Sequence, residues 1–339
     1  MAKKANSWFQ VQDDVLTRIR AELPSERVRE LQRLRPWRHF LTVGRLYLQL
    51  FLLAYICWQF TNPWIWLPAA FIQGFTVLGF IILLHEQLHN VIFKKRHPRI
   101  NTMLGYLYAL PSAISSSQFT RWHLDHHANL GSEIDDPKRA HLSPKKNKRW
   151  YKLLYFTIAL LPIYGRAAKA ENLTYPAELT RKIKRQRAVN FAIHLAIAGG
   201  IWYLADAYTM LRVHLIPMTV FFPIAFILNR LGQHYWIDPD DPVKWGTRVD
   251  GSAPIHFLFL WSNFHIEHHY FPQVPMYNLK ALNRELRPFF EKVGMPNRTY
   301  PELLWGWLVR NKRAHTNWDV TEPAEPTVHG AEAYSEPRL

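Results

Sequence analysis

Two apolar runs separated by three residues set the first limit on what this chain can fold into. "LTVGRLYLQLFLLAYICWQF" (41–60) and "WIWLPAAFIQGFTVLGFIILL" (64–84) flank "TNP". As helices, each is about long enough to cross the roughly 30 Å hydrocarbon core of a bilayer. So short a link makes an antiparallel transmembrane hairpin, with Trp58, Trp64 and Trp66 in the interfacial belt. A second pair follows at about 188–206 and 209–232, again joined by a short turn. The expected fold is an all-α membrane protein of about four transmembrane helices in two hairpins, with a cytoplasmic helical cap.

Composition agrees once it is read in windows. The 339 residues are 48% hydrophobic with 14 Trp and 20 Phe, yet mean hydropathy is −0.19, because charged stretches dilute the apolar ones. A formal charge of +16 raises nucleic acid as a partner. The basic residues do not form a groove-reading surface, however. "KKRHPR" (94–99), "KKNKR" (145–149) and "RKIKRQR" (181–187) each adjoin an apolar segment, as cytoplasmic loops facing anionic lipid do. Nucleic acid is therefore set aside. The single Cys57 rules out an internal disulfide framework and a thiolate metal site.

The first forty residues hold no apolar stretch of signal-peptide type, so the N-terminus is expected in the cytoplasm. Four crossings then return the chain to the same side, which carries the basic clusters and the C-terminus. Segments 101–118 and 151–165 are apolar but interrupted by Pro or Ser, and are expected to be interfacial or re-entrant. The expected division is a partly helical cytoplasmic segment (1–40), a membrane catalytic domain (41–290), a C-terminal cytoplasmic segment (291–315) and a disordered acidic tail (316–339).

Histidine carries the chemistry. "HLDHH" (123–127) and "HIEHH" (265–269) repeat H-x-x-H-H, and "HEQLH" (85–89) adds a third cluster at the end of an apolar run. With 17 His in the chain, chance placement gives H-x-x-H-H about 0.04 times, so two copies demand a cause. On a helix, positions i, i+3 and i+4 share a face. His123, His126 and His127 can thus converge on one point, as can His265, His268 and His269, while His85 and His89 lie one turn apart. Neutral imidazoles suit iron, zinc or copper, and eight of them exceed one ion's coordination, so two metal ions are implied. His234, at the end of the fourth apolar run, is a ninth candidate by placement. Asn229 and Gln233 lie beside it. Glu86, Asp125 and Glu267 sit inside the clusters and could accept the second imidazole N–H, while Asn263 and Trp122 flank them. Asp135 and Asp136, after the second cluster, could contact a head group, hold the ligand helix or be a plain polar loop.

The three clusters in this order, with "HEQLHN", "HLDHHANLGSEIDDP" and "NFHIEHHYFPQVP" as they stand, resemble the membrane fatty acid desaturase and hydroxylase superfamily over about residues 40–290. In style they are closest to its sphingolipid and acyl-lipid desaturases. The resemblance implies a non-haem di-iron centre held by His85, His89, His123, His126, His127, His265, His268 and His269, usually joined by a histidine matched here by His234. It implies O₂ as co-substrate and removal of hydrogen from a fatty acyl or sphingoid chain. No dinucleotide fingerprint or fused haem module is evident, so an external ferredoxin or b-type cytochrome is implied as electron donor. Two alternatives remain open: hydroxylation or ketolation of a lipid or carotenoid, and an intramembrane zinc metalloprotease that uses "HEQLH" with Glu86 as base.

Overall fold

The computed structural model describes residues 7–132, 135–235, 238 and 240–311. Helix α1 (Trp8–Arg20) and helix α2 (Ser25–Leu31) precede the first hairpin. That hairpin is α3 (Pro36–Gln59) and α4 (Pro63–Leu88), each opened by a proline, which pre-sets φ and lacks an N–H that would go unbonded anyway. Asn62 caps α4 by accepting from the Trp64 N–H at 3.0 Å. Its apolar residues lie all round the helix, so α4 is buried on nearly every side and becomes the axis of the fold.

Short helices α5 (Pro98–Ala109) and α6 (Ser116–Asn129), broken apart at Pro111, follow α4. Then come α7 (Arg149–Leu154), α8 (Leu160–Asn172) and α9 (Ala177–Leu204). One continuous helix, α10, runs from Ala207 to His234 and widens into π-type turns at Leu211–Leu215 and Pro217–Phe221, around the missing N–H of Pro217. The rest is α11 (Ala253–Phe259), α12 (His265–Tyr270), α13 (Met276–Lys292) and α14 (Tyr300–Leu304). No strand occurs among the described residues, which hold one isolated bridge between Arg248 and Asn297.

Among the described residues, three helices are long and apolar enough to cross a membrane: α3, α4 and α10. The crossing expected at 188–206 is the apolar end of α9, whose first half carries the basic residues of 181–187, so it falls outside that set. Ile183 is the one buried residue of α9, and Phe191, Leu195, Trp202 and Leu204 all face outward. Segments 101–118 and 151–165 form no helix of spanning length.

Helices α4 and α10 run the same way. Arg212, near the start of α10, donates to the Phe60 carbonyl ahead of α4, and Gln73 Nε2 donates to the Val213 carbonyl at 3.3 Å. About two turns further along α10, Gly74 lies against Phe221. Both helices therefore finish together, with His85, His89 and His234 at the same end. The terminal segments pack there too: the ring of Trp8 stacks on Tyr270, and Trp307 packs against Phe156 and Tyr235. The acidic tail at 316–339 lies outside the described residues.

A Cβ on Gly74 would sit 2.5 Å from the Phe221 carbonyl carbon, and backbone cannot yield as a side-chain tip can. Gly74→Val should therefore destabilise the protein by about 1–3 kcal/mol through separation of the two helices. Gly44→Ala, which meets nothing within 4 Å, should be neutral or mildly stabilising. Thermal unfolding of both variants in detergent checks the pair.

Candidate metal centre

Nine histidines converge at the shared end of α4 and α10, and they sort into two groups. His85, His89, His123, His127 and His268 form one, and His126, His234, His265 and His269 the other; within each, one candidate ligand atom per residue lies within 4.8 Å of the rest. The two H-x-x-H-H triads do not each converge on one point, as helical spacing first suggests. Each triad is divided. Residues at i and i+4 are about 40° apart around a helix, whereas i+3 falls about 60° to the other side. Thus His123 and His127 of α6 face the first group and His126 the second, while His265 and His269 of α12 face the second and His268 the first. His234, singled out by placement alone, completes the group of four.

Donor spacing tests whether ions fit. His89 and His123 approach at 3.1 Å between Nε2 atoms, as do His127 and His268. In the other group His234 Nε2 lies 3.0 Å from both His126 and His265, and His265 lies 3.1 Å from His269. Nitrogens bound at about 2.1 Å and at right angles on one ion would be about 3.0 Å apart, against about 3.4 Å in a tetrahedron. The pairs have right-angle spacing.

Protons alone do not account for it. His126 Nδ1 lies 2.9 Å from Asp136 Oδ1, an oxygen that also accepts the Lys138 backbone N–H at 2.9 Å. His234 Nδ1 lies 3.0 Å from the Trp245 carbonyl. Both Nδ1 atoms must donate, so in the neutral rings both Nε2 atoms are bare and face each other across 3.0 Å. Two lone pairs repel at that distance unless a cation lies between them. Burial, first of all, pushes the His126 pKa well below its ordinary value, with Lys138 and Arg230 adding to the effect, so a proton is a poor candidate. In the first group His85 Nε2 is buried with no hydrogen-bond partner. The donor set fits two metal ions.

The acidic residues inside the clusters do other work. Glu86 is 3.9 Å from His85 Nδ1, beyond hydrogen-bond reach, and its Oε2 accepts the Met276 N–H at 2.9 Å, pinning the start of α13. Asp125 accepts from Arg121 at 2.9 Å, and Glu267 accepts from Asn283. Burial raises the Glu267 pKa to about 7. Asn263 donates to the Val249 carbonyl at 2.9 Å. The acceptors that do hold imidazoles are Asp136 and the Trp245 carbonyl; of the readings open for Asp136, holding the ligand helix is the one its contacts fit.

Beside the histidines lies a cavity of about 390 Å³, its walls mostly apolar (Leu78, Ile81, Ile82, Phe222, Phe226, Leu279) and one side formed by His85, His123, His265 and His268. Trp122 also lines it. Its polar margin includes Asn229, which donates to Ser262 at 2.7 Å, and Gln233, which donates to Asn229 at 2.8 Å. Two cations on the lining, Arg230 and Lys138, were not among the candidates drawn from the sequence; burial brings the Lys138 amine down to about 7. The visible signal was an arginine inside an apolar run.

The fatty acid desaturase family model matches residues 61–301, well over half of the sequence. The chain belongs to the fatty acid desaturase family. It is 24% identical over 269 residues to the human sphingolipid delta(4)-desaturase/C4-monooxygenase DES2, covering 74% of this chain and 76% of that protein. It is also 24% identical over 275 residues to the Drosophila melanogaster sphingolipid delta(4)-desaturase DES1, covering 77% of each. With the acyl-lipid 8-desaturase of Rebecca salina it shares 28% over 247 residues, covering 64% of this chain and 55% of that one. The desaturase is thus a membrane oxidoreductase, and the protease reading of "HEQLH" fails: its histidines sit in a group of five, and the would-be base Glu86 is bonded to backbone.

Stability should fall with pH. For His123, His126, His127, His265, His268 and His269 burial, the largest cause, holds the folded pKa well below the usual 6.5. The unfolded chain then takes up protons that the folded chain refuses, so stability present above about 6.5 is lost as pH falls below it. Unfolding midpoints of metal-free protein between about pH 5 and 8 should show a steep loss on the acid side.

Proposed function

We propose that this desaturase oxidises the hydrocarbon chain of a lipid, fatty acyl or sphingoid, with O₂ and electrons from an external ferredoxin or b-type cytochrome. His85, His89, His123, His127 and His268 would hold one iron ion, and His126, His234, His265 and His269 the other. The observation that carries this reading is the division of nine imidazoles, seven buried and two half-buried, into two groups beside one apolar cavity. An all-imidazole set of four and five donors, with no thiolate, suits iron as a pair of ions. When bound, the ions supply the oxidant that takes hydrogen from an unactivated C–H bond.

The protein's part is placement. Leu78, Ile81, Ile82, Phe222 and Phe226 exclude water and align the alkyl chain past the histidine wall. Asp136 and the Trp245 carbonyl fix the tautomers of His126 and His234, so that Nε2 of each presents a lone pair. The N-terminus, C-terminal part and histidines would face the cytoplasm, with α9 as a fourth crossing, and the exposed basic loops would receive an acidic electron carrier. Loss of two adjacent hydrogens gives a double bond. Capture of oxygen after the first loss gives an alcohol, an outcome favoured as second reading because four of the relatives are named for both activities.

Expression in a host of known lipid profile, followed by mass spectrometry, should reveal a lipid lighter by two hydrogens. One heavier by one oxygen would select the second reading, and no new lipid would count against both. Purified protein should contain about two iron per chain. His126→Ala and His268→Ala should each abolish the product and lower iron content. Asp136→Asn should weaken iron retention about 10–100-fold while the fold persists.

A further inference from the structure

Arg230 is 8% exposed, lines the cavity, and has no hydrogen-bond or ion-pair partner among the described residues. A buried, unpaired guanidinium is costly, and its charge is permanent. Lys138 lines the same cavity, and its ammonium likewise has no such partner among the described residues. The nearby carboxylate, Asp136, is already engaged by His126 and by backbone. The cavity therefore presents two basic side chains that share the field of one carboxylate, Asp136, without bonding to it, next to walls that select an alkyl chain. Their position is also fixed. Arg230 lies one helical turn before His234, on the same face of α10, about 5–6 Å away between Cβ atoms. Lys138 lies two residues beyond Asp136, the anchor of His126.

We propose that Arg230 and Lys138 form a subsite for an oxyanion, a carboxylate or phosphate, at the head of the alkyl substrate, which sets oxidation within roughly the first half-dozen carbons. The proposal rests on the lipid-oxidising reading for its chemistry but not for its binding step. The guanidinium takes the oxyanion in a forked pair, the ammonium adds a point charge, and the alkyl chain runs along the histidine wall.

Binding of myristate, myristyl phosphate and myristyl alcohol to the purified, iron-loaded full chain tests this without turnover, followed by quenching of tryptophan fluorescence. Both anions should bind on the order of tenfold or more tighter than the alcohol. Arg230→Gln should remove that preference, Arg230→Lys should keep most of it, and Lys138→Gln should lower it partly. Should Arg230→Gln fail to fold, the Arg230→Lys and Lys138→Gln comparison carries the test. Tighter binding of the carboxylate points to a free fatty acid, and of the phosphate to a phosphorylated lipid. Equal affinity for alcohol and anions, or a preference that survives Arg230→Gln, overturns the subsite. Anion-selective binding by a chain that oxidises no lipid would leave the subsite standing and sink the desaturase reading; oxidation of lipids without anion preference would do the reverse.

Discussion

A buried imidazole whose Nδ1 has been committed to an acceptor carries a bare lone pair on Nε2, and two such lone pairs cannot share 3.0 Å without a cation. That constraint at His126 and His234 governs the site. The acceptors come from different parts of the chain, a loop carboxylate and a loop carbonyl, so the tautomers are set by tertiary structure before any ion arrives. Each group draws on three helices, and α6 and α12 contribute to both, so neither of those two can move without disturbing both groups.

The scaffold meets this demand by making its most apolar helix the centre. Helix α4 is enclosed by its neighbours, with Gly74 letting α10 approach to backbone contact. Because α4 and α10 are parallel, the last turn of one and the last residue of the other reach the same level. The buried Glu86 then ties α4 to the first turn of α13 through the Met276 N–H, a strong bond in a dry interior. A carboxylate that resembles a catalytic base by motif is a structural strut by contact.

Much of the site was legible because its residues obey helical spacing. Three- and four-residue intervals identify His85, His89 and the two triads without coordinates, and the level at which an apolar run ends identifies His234. Division of the triads follows from the same arithmetic, since i+3 and i+4 diverge by about 100°, but only the packing of α6 against α12 shows where each face points. The Trp245 carbonyl leaves no trace in sequence, because any residue has one. Asp136 lay in a loop whose path local pattern does not encode. The crossing expected at 188–206 fared differently: its apolar length is real, yet the helix carries straight through the basic segment and begins about three turns before the apolar run.

Charge bears on where the buried carboxylates sit: Glu86 and Glu267 bond to groups other than histidine, and Asp136 meets His126 on Nδ1, away from its ligand atom. Glu86 and Asp136 accept from N–H groups, of Met276 and of Lys138 and His126, while Glu267 accepts from Asn283 on one oxygen and leaves the other buried without a partner among the described residues. An all-imidazole donor set adds no negative charge, so two bound divalent ions would keep theirs within a low-dielectric wall. Ions bound there would be held more readily in their reduced state than with carboxylate ligands, which would stabilise the oxidised ions. The same excess of positive charge makes an unpaired Arg230 harder to tolerate beside it. Neutral ligands and a nearby guanidinium that only Asp136 offsets at a distance are thus one electrostatic arrangement, which an anion entering the cavity would complete.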